Sequence, residues 1–258
     1  MKRVFLSGII FLSTIGSIFA NGIDDKCPQF AVFGAPISSK PENAGQYLCR
    51  PTYALHYSFA SKTAEYVVEH VTVANITGTS QRKDDFRPDP EVPPQFRATL
   101  QDYAGQPYDR GHMSPAGNAT NDATSMSLTF LLTNMVPQVP NNNRGVWKQI
   151  ETLARTWVSK QGEMYIITGA INTPQSKVIG QGVVVPDWLF KIVVDPKSQR
   201  MIAFMLPNVA GIGANDYPKY IVSIAEVEKA TGILFFPKLP PQAAALKTTR
   251  ANLADWPR

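Results

Sequence analysis

Four residues that could together act on a phosphodiester lie within residues 109–155: His112, Asn143, Glu151 and Arg155. A neutral imidazole can take a proton from water near neutral pH. Amide and carboxylate oxygens are ligands that Mg²⁺ accepts beside water and phosphate. Arginine neutralises phosphate oxygens through paired hydrogen bonds. This combination of residue types therefore favours hydrolysis of a phosphodiester bond by water.

Two short strings in this segment are similar to those of a known family. Residues 109–113 read Asp-Arg-Gly-His-Met, and residues 143–147 read Asn-Arg-Gly-Val-Trp. They resemble the DNA/RNA non-specific endonucleases, the ββα-metal or His-Me finger nucleases. The resemblance implies that His112 is the general base and that Asn143 is the sole protein ligand of Mg²⁺, with Mn²⁺ as a substitute ion. Two further asparagines directly precede Asn143. The assignment of the metal ligand to Asn143 therefore rests on the family's spacing to the following glycine, tryptophan and glutamate.

The resemblance also assigns residues to the substrate. It implies that Arg82 and Arg155 bind phosphate and that Asn134 lies close to the scissile phosphate. The residues alone allow other interpretations. Arg82 lies in a charged segment that would also suit a solvated surface cluster, and Asn134 would also suit a buried amide. Arg110 is either a phosphate contact or part of a structural ion pair, whereas Asp109 orients the backbone or pairs with an arginine.

The segment after Asn143 predicts an amphipathic helix. Its apolar residues recur with the three- and four-residue spacing of one helical face: Val146, Trp147, Ile150, Leu153, Ala154, Trp157 and Val158. Pro137 and Pro140 exclude an earlier start, and the asparagines at 141–143 offer N-cap side chains.

This helix sets the expected role of Glu151. If it is regular from Asn143 onward, the Cα atoms of Asn143 and Glu151 lie roughly 12 Å apart, at 1.5 Å per residue. We therefore expect Glu151 to orient water at the metal rather than to bind the ion itself. By spacing alone, Glu151 and Arg155 would also form a solvated i, i+4 pair.

Strand-like and helical patterns surround this segment. Alternating apolar residues predict two strands within 51–79 and further strands at 164–169, 188–195 and 201–206. The rest of the sequence predicts a short helix near 121–127, a buried strand at 128–133, an extended loop over 80–108 and a late helix capped by Ser223 and Glu226. His56 and His70 fall in the strand-like runs, and we interpret both as structural.

These elements predict the fold class. We expect a mixed α/β (α+β) fold, with a mostly antiparallel central sheet flanked by helices and a ββα-metal finger active site. No linker is evident, so residues 21–258 are expected to form a single endonuclease domain.

The N-terminal segment predicts export. Residues 1–20 combine Lys2 and Arg3 with an apolar stretch and a small residue, Ala20, as in a signal peptide. Cleavage after Ala20 is favoured, and an uncleaved anchor is the alternative. Cys27 and Cys49 are the only cysteines of the chain, and an even count behind such a leader predicts one disulfide. We therefore expect a secreted or periplasmic protein.

The small net charge of such a protein limits the contribution of its overall electrostatic field to nucleic-acid binding. Loss of Lys2 and Arg3 with the leader lowers the formal charge from +5 to +3. Affinity for a polyanion must therefore come from local clusters of positive charge rather than from a global field.

The favoured function is a Mg²⁺-dependent, sugar-non-specific endonuclease acting on DNA and RNA, with no membrane attachment after leader cleavage. A phosphodiesterase for short oligonucleotides is the alternative among enzymes. A non-catalytic extracellular nucleic-acid-binding protein of the same fold is the alternative from another class. Both His112 and Asn143 are present, which favours the enzyme. The sequence leaves open whether the protein forms a homodimer or is controlled by an inhibitor protein.

Overall fold

The computed structural model describes residues 22–39 and 45–257, so the expected signal peptide lies outside it. The strands of this part are β1 (Ile37–Ser38), β2 (Gly45–Cys49), β3 (Tyr53–Ser58), β4 (Thr63–Thr72), β5 (Asp109–His112), β6 (Met135–Gln138), β7 (Glu163–Ile171), β8 (Val178–Ile179), β9 (Val183–Val184), β10 (Trp188–Asp195), β11 (Arg200–Pro207), β12 (Ile221–Val222) and β13 (Ile233–Leu234). The α-helices are α1 (Ile23–Lys26), α2 (Val73–Ile76), α3 (Leu100–Tyr103), α4 (Ala123–Leu128), α5 (Pro140–Asn142), α6 (Lys148–Gln161), α7 (Ile224–Thr231) and α8 (Ala245–Thr248).

Within the described residues, the largest element is an antiparallel sheet of seven strands in the order β12-β11-β10-β7-β4-β3-β2. The long strand β7 lies at its centre, where Thr168 is opposite Val67 of β4 and Lys191 of β10. The strands predicted within 51–79 and at 164–169, 188–195 and 201–206 are confirmed. Ser223 and Glu226 cap α7 as predicted, through Ser223 N donating to Glu226 Oε2 at 2.8 Å.

Helices cover both faces of this sheet, which confirms the expected mixed fold. On one face, Trp147, Ile150 and Trp157 of the helical segment pack against alternate residues of β3, β4, β7 and β10. On the other, α1 and α7 pack against the intervening residues, including Phe190 and Ile192 of β10. The period of two along each strand thus separates two apolar clusters.

A small antiparallel pair, β5 and β6, lies beside the large sheet and leads into α5 and α6. Together they form the expected ββα finger, with His112 opposite Met135 and Gly111 opposite Val136. Gly111 is needed for a close approach, because a Cβ there would lie 2.1 Å from Gln138 Oε1. A larger residue would therefore separate the two strands.

The structure corrects how the helix begins. Pro140 does not exclude a helical start but is the first helical residue of α5, a position where its missing N–H is no loss. Val139, not an asparagine, precedes it as the N-cap. Residues Asn143–Trp147 then form a π-type turn with non-helical dihedrals at Gly145, and regular α6 starts only at Lys148. The premise of the 12 Å estimate, a regular helix from Asn143, is therefore wrong.

The predicted strand at 128–133 is also wrong. Helix α4 continues to Leu128, with Asp122 accepting a cap hydrogen bond from Ser125 N, and a compact turn follows. Phe130 and Leu132 are fully buried within that turn, so their apolar character reflects packing rather than strand pairing. The polar loop expected over 80–108 is interrupted by a 3₁₀ turn at Pro94–Phe96 and by α3.

The remaining expectations concern single residues. Cys27 and Cys49 form the predicted disulfide, with Cα atoms 6.1 Å apart. His56 pairs with Glu65, and His70 pairs with Glu163 at 2.7 Å while stacking on the ring of Tyr165. In the described part of the chain, no helix is both long and apolar enough to cross a membrane.

Candidate active site

A cleft of about 480 Å³ lies between the end of β5, the turn that follows it, and the start of α6. Its lining contains six of the seven predicted site residues: Arg82, Arg110, His112, Asn143, Glu151 and Arg155. Arg144 and Lys148 add two more positive side chains. Residues distant in sequence thus meet at a strongly cationic surface.

His112 ends strand β5 and is only 9 % exposed. Its ring contacts the rings of Phe86 and Phe130 edge-on, with centroids 5.7 and 4.9 Å away. Burial, followed by the positive charges of Arg82 and Arg110, lowers the pKa of His112 to about 3. The imidazole is therefore neutral at physiological pH and has a lone pair that can accept a proton. Its Nε2 is buried and has no hydrogen-bond partner among the described residues.

Asn143 lies at the opposite end of the finger, where the π-type turn begins. Its Nδ2 donates to Asp109 Oδ2 at 2.8 Å, and Arg144 donates to the same carboxylate through Nε and Nη2. Burial acts to raise the pKa of Asp109, but the hydrogen bonds from Arg144 and Asn143 outweigh it and hold the pKa below its ordinary value. An ionised carboxylate only accepts hydrogen bonds, so the amide nitrogen must face it. The Oδ1 of Asn143 is left for a ligand.

The three neighbouring asparagines have different surroundings. Asn142 is buried, donating to Pro207 O at 2.9 Å and accepting from Gln138 Nε2. Asn141 is exposed and does not line the cleft. Asn143 alone of the three lines it, which agrees with the residue chosen from the family spacing.

The arginines are held by aromatic rings and by short polar contacts. Arg82 lies over the ring of Phe130, with Cζ 5.0 Å from the centroid, and donates to Asp84. Arg110 lies over the ring of Phe86 at 4.1 Å. Arg155 donates from Nη1 to Asn118 Oδ1 at 3.4 Å. Stacked or hydrogen-bonded guanidinium groups are oriented before a substrate arrives, which reduces the entropy lost on binding phosphate.

Two buried charged residues outside the lining of the cleft interact with Glu151. Glu69 of β4 and Lys191 of β10 are each 1 % exposed, and their side chains point to the face of the sheet covered by α6. Burial raises the pKa of Glu69 to about 7 and lowers that of Lys191. Burial also raises the pKa of Glu151, against the opposing charges of Lys191 and Arg155. Lys191 therefore supplies positive charge beneath two carboxylates.

Glu69 is connected to the cleft through hydrogen bonds. Its Oε1 accepts from Ser114 Oγ at 2.9 Å and from Asn118 Nδ2 at 3.0 Å. Asn118 in turn accepts from Arg155, so this buried carboxylate helps to position a cleft arginine.

Comparisons with known proteins identify the arrangement. The family model described as DNA/RNA non-specific endonuclease matches residues 35–242. The chain belongs to this family.

Several proteins named as nucleases are similar along most of the chain. "Nuclease EXOG, mitochondrial" from Homo sapiens is 33% identical over an alignment of 225 residues, and the match covers 80% of this chain and 60% of that protein. "Nuclease C1" from Cunninghamella echinulata var. echinulata is 35% identical over 216 residues, 77% of this chain and 86% of the other. The chain thus spans about 60% of the length of the EXOG relatives that it matches.

A solved structure is similar as well. The crystal structure titled as the EndoG/EndoGI complex, on the mechanism of EndoG inhibition, matches with a TM-score of 0.77 and 27% identity. The match covers 83% of this chain and 93% of that one. The similarity of fold therefore extends well beyond the finger motif.

One residue that the family resemblance assigned to the substrate lies elsewhere. Asn134 is fully buried and does not line the cleft. Its Oδ1 accepts from Ser114 N at 2.9 Å, and its Nδ2 donates to the carbonyls of Ser114 and Thr129 at 2.8 Å. These contacts occupy the amide and join the turn after β5 to the segment before β6. The expected position of Asn134 close to the scissile phosphate stays a prediction.

The donor set of the cleft fits a hard divalent cation. It offers the amide oxygen of Asn143 and the carboxylate of Glu151, and its arginines would hold a phosphate that adds further oxygens. Mg²⁺ is commonly held by one or two protein oxygens together with water and substrate phosphate. The described residues contain no group of three or more His, Cys, Asp or Glu suited to a metal ion.

Sequence reasoning missed the buried residues Glu69 and Lys191. The signal was available, because each is a charged residue inside an otherwise apolar strand run. A charge in such a run is rarely buried without a partner. Their meeting could not be read from sequence, since it depends on both strands pairing with β7.

Proposed function

We propose that this chain is a Mg²⁺-dependent, sugar-non-specific endonuclease that hydrolyses phosphodiester bonds in DNA and RNA. The observation that carries the proposal is the meeting of His112, Asn143, Glu151 and four arginines at one cleft. These groups cover the needs of the reaction: a base for water, oxygen ligands for a cation, and positive charge for the phosphate.

His112 removes the proton from the attacking water. Since Nε2 is buried, we assign proton acceptance to Nδ1, the ring nitrogen left for the cleft. The water oxygen forms a bond to phosphorus while its proton moves to His112. The bond from phosphorus to the 3′ oxygen breaks, and solvent protonates the departing oxygen.

The other residues hold the substrate for this step. Arg82 and Arg155 bind the phosphate oxygens, and Arg110 adds positive charge beside His112. Asn143 and Glu151 would hold the cation, Asn143 directly and Glu151 by orienting its water. When bound, Mg²⁺ supplies charge neutralisation at the scissile phosphate and at the departing oxygen.

The proposal includes export to the periplasm or the cell exterior. Its support is the leader pattern of residues 1–20 together with the disulfide, which persists in oxidising compartments. Expression of the full chain followed by N-terminal sequencing of the exported protein tests this part. We expect the mature chain to begin at Asn21, and an intact Met1 on a cytosolic protein would contradict export.

The enzymatic proposal is tested with the purified mature protein and plasmid DNA or RNA, with Mg²⁺ or with excess EDTA. We expect both polymers to be cut internally with Mg²⁺ and neither with EDTA. His112→Ala should lower the rate roughly 10²–10⁴-fold, while His70→Ala, outside the cleft, should retain it. Binding of DNA without cleavage by the wild type would indicate a non-catalytic protein instead.

A further inference from the structure

A second pocket of about 380 Å³ adjoins the cleft. The two share Arg82, Arg110, Asn143 and Arg144, but the second pocket lacks His112, Glu151 and Arg155. The residues that line only this pocket are three aromatic ones, Phe86, Tyr103 and Tyr108, and Asp109, whose carboxylate is paired with Arg144. The pocket therefore extends the cleft towards Asn143 and Asp109, at the start of β5, whereas His112 lies at the end of that strand.

The walls of this pocket suit a flat, partly polar group. The half-buried Tyr108 and the stacked pair of Arg110 and Phe86, 4.1 Å apart, offer π faces at its surface. Aromatic rings and guanidinium planes are the surfaces on which nucleobases stack, whatever their identity. The volume also exceeds that of a nucleobase, so a base and its sugar can enter.

Tyr103 adds a polar group that lacks a partner. It is 6 % exposed, and its hydroxyl is buried without a hydrogen bond to any described residue. Burial raises the pKa of this phenol, so the hydroxyl stays neutral and able to donate. A buried hydroxyl left unpaired is unfavourable, and such groups in folded proteins call for an explanation. A ligand in the pocket would provide the missing partner.

The direction of the reaction decides which part of the substrate reaches this pocket. In an in-line displacement, water enters on the side of His112 and the departing oxygen leaves on the opposite side. Asn143, which in the proposed reaction would hold the cation that neutralises the departing oxygen, lines the second pocket, whereas His112 does not. The departing 3′ oxygen belongs to the nucleoside on the 5′ side of the scissile phosphate.

We propose that the pocket formed by Phe86, Tyr103, Tyr108 and Arg110 is a subsite for the nucleoside whose 3′ oxygen departs, stacking its base on Tyr108 and Arg110. This inference rests on the proposed function, since that reaction fixes the side on which the nucleoside lies. The subsite accepts any base, and it makes the base, not only the phosphate, part of what the cleft binds.

The test uses an end-labelled oligonucleotide with one abasic tetrahydrofuran residue. Cleavage of the phosphate on the 3′ side of that residue leaves the subsite without a base, whereas cleavage on its 5′ side does not. For the wild type we expect the 3′-side bond to be cut about 10- to 100-fold more slowly than in the intact oligonucleotide, as the loss of one stacked base predicts. The 5′-side bond serves as the internal reference. Equal cleavage of the 3′-side bond in both oligonucleotides would overturn the proposal.

Three variants connect this difference to the pocket. Tyr108→Leu keeps apolar packing but removes the π face, so it should slow cleavage of the intact strand and abolish the abasic effect. Tyr103→Phe removes only the hydroxyl. It should reduce the abasic effect about 2- to 10-fold without lowering the midpoint of thermal unfolding. Tyr165→Leu, a half-buried tyrosine outside both pockets, should leave the abasic effect unchanged. Persistence of the full abasic effect in Tyr108→Leu would refute the subsite.

A binding measurement separates this proposal from the proposed function. Calorimetric titration in EDTA compares thymidine 3′-monophosphate, which can place its phosphate in the cleft and its base in the subsite, with thymidine 5′-monophosphate. We expect the 3′ isomer to bind more tightly and Tyr108→Leu to remove that preference. A wild type that shows this preference without cleaving DNA would retain the subsite and refute the nuclease. A wild type that cleaves DNA but binds both isomers equally would retain the nuclease and refute the subsite.

Discussion

Asn143 and Asp109 are joined by a 2.8 Å hydrogen bond in which the Asn143 amide nitrogen donates to Asp109 Oδ2. The contact links the start of β5 to the turn at which the helical segment begins. Because Asp109 is ionised and can only accept, the bond determines that the amide oxygen points away from it. Outer partners of this kind orient a metal ligand and raise its affinity for the ion.

The first prediction follows from that contact. Asp109→Ala frees the Asn143 amide to rotate, so the concentration of Mg²⁺ that gives half-maximal cleavage should rise about 10- to 100-fold. A metal titration of the cleavage rate measures it. Arg144→Gln serves as control, because Arg144 pairs with Asp109 yet leaves the Asn143 contact in place. An unchanged metal requirement in Asp109→Ala would show that this hydrogen bond does not orient the ligand.

The second prediction concerns the pH dependence of cleavage. Burial and the charges of Arg82 and Arg110 lower the pKa of His112, so its neutral form persists below the ordinary value of 6.5. The acidic limb of kcat/KM, which reports the free enzyme, should therefore fall below pH 6.5. Arg82→Gln removes one of these charges, so the pKa should rise and the limb should move to higher pH. A limb that moved to lower pH, or did not move, would contradict this account.

The candidate site residues could be predicted from the sequence, whereas parts of the backbone that hold them could not. A short motif with fixed spacing marks His112, Asn143 and Glu151 in the sequence, and the structure places all three at one cleft. The predicted helix start is wrong because Pro140 is tolerated at the first helical position, and because the kink at Gly145 leaves no mark in the apolar spacing. An apolar run such as 128–133 indicates burial without indicating strand or turn.

Contacts between elements distant in sequence could not be predicted either, for a different reason. Glu69 and Lys191 share one face of the sheet only because β4 and β10 both pair with β7. The backbone partners of the Asn134 amide, Ser114 and Thr129, likewise follow from packing and not from the local sequence. Single-residue roles of this kind depend on tertiary packing rather than on local pattern.

The third prediction uses the linkage between stability and pH at Glu69. Its pKa is raised to about 7 in the folded protein, above the ordinary value near 4.5, so the folded state binds the extra proton between these values. Its contribution to stability is thus complete below pH 4.5 and is lost as pH rises through about 7. In denaturant unfolding, the free energy of unfolding of Glu69→Gln minus that of the wild type should be larger at pH 7.5 than at pH 5. The same stability difference at both pH values would contradict the raised pKa.

The last prediction compares Asn134→Ala with His112→Ala, the variant of the proposed general base. Asn134 makes its hydrogen bonds to backbone groups on both sides of the finger, and none of them reaches the cleft. Asn134→Ala leaves buried backbone groups unpaired, so the free energy of unfolding should fall by about 1–3 kcal/mol. The variant should lose activity mainly through its unfolded fraction, keeping the Mg²⁺ requirement and pH profile of the wild type. His112→Ala should show the opposite pattern, a lost rate with little loss of stability. The measurements are denaturant unfolding and cleavage rates per folded molecule at low temperature. If Asn134→Ala were as stable as the wild type yet lost its rate like His112→Ala, the asparagine would belong with the groups that contact the phosphate.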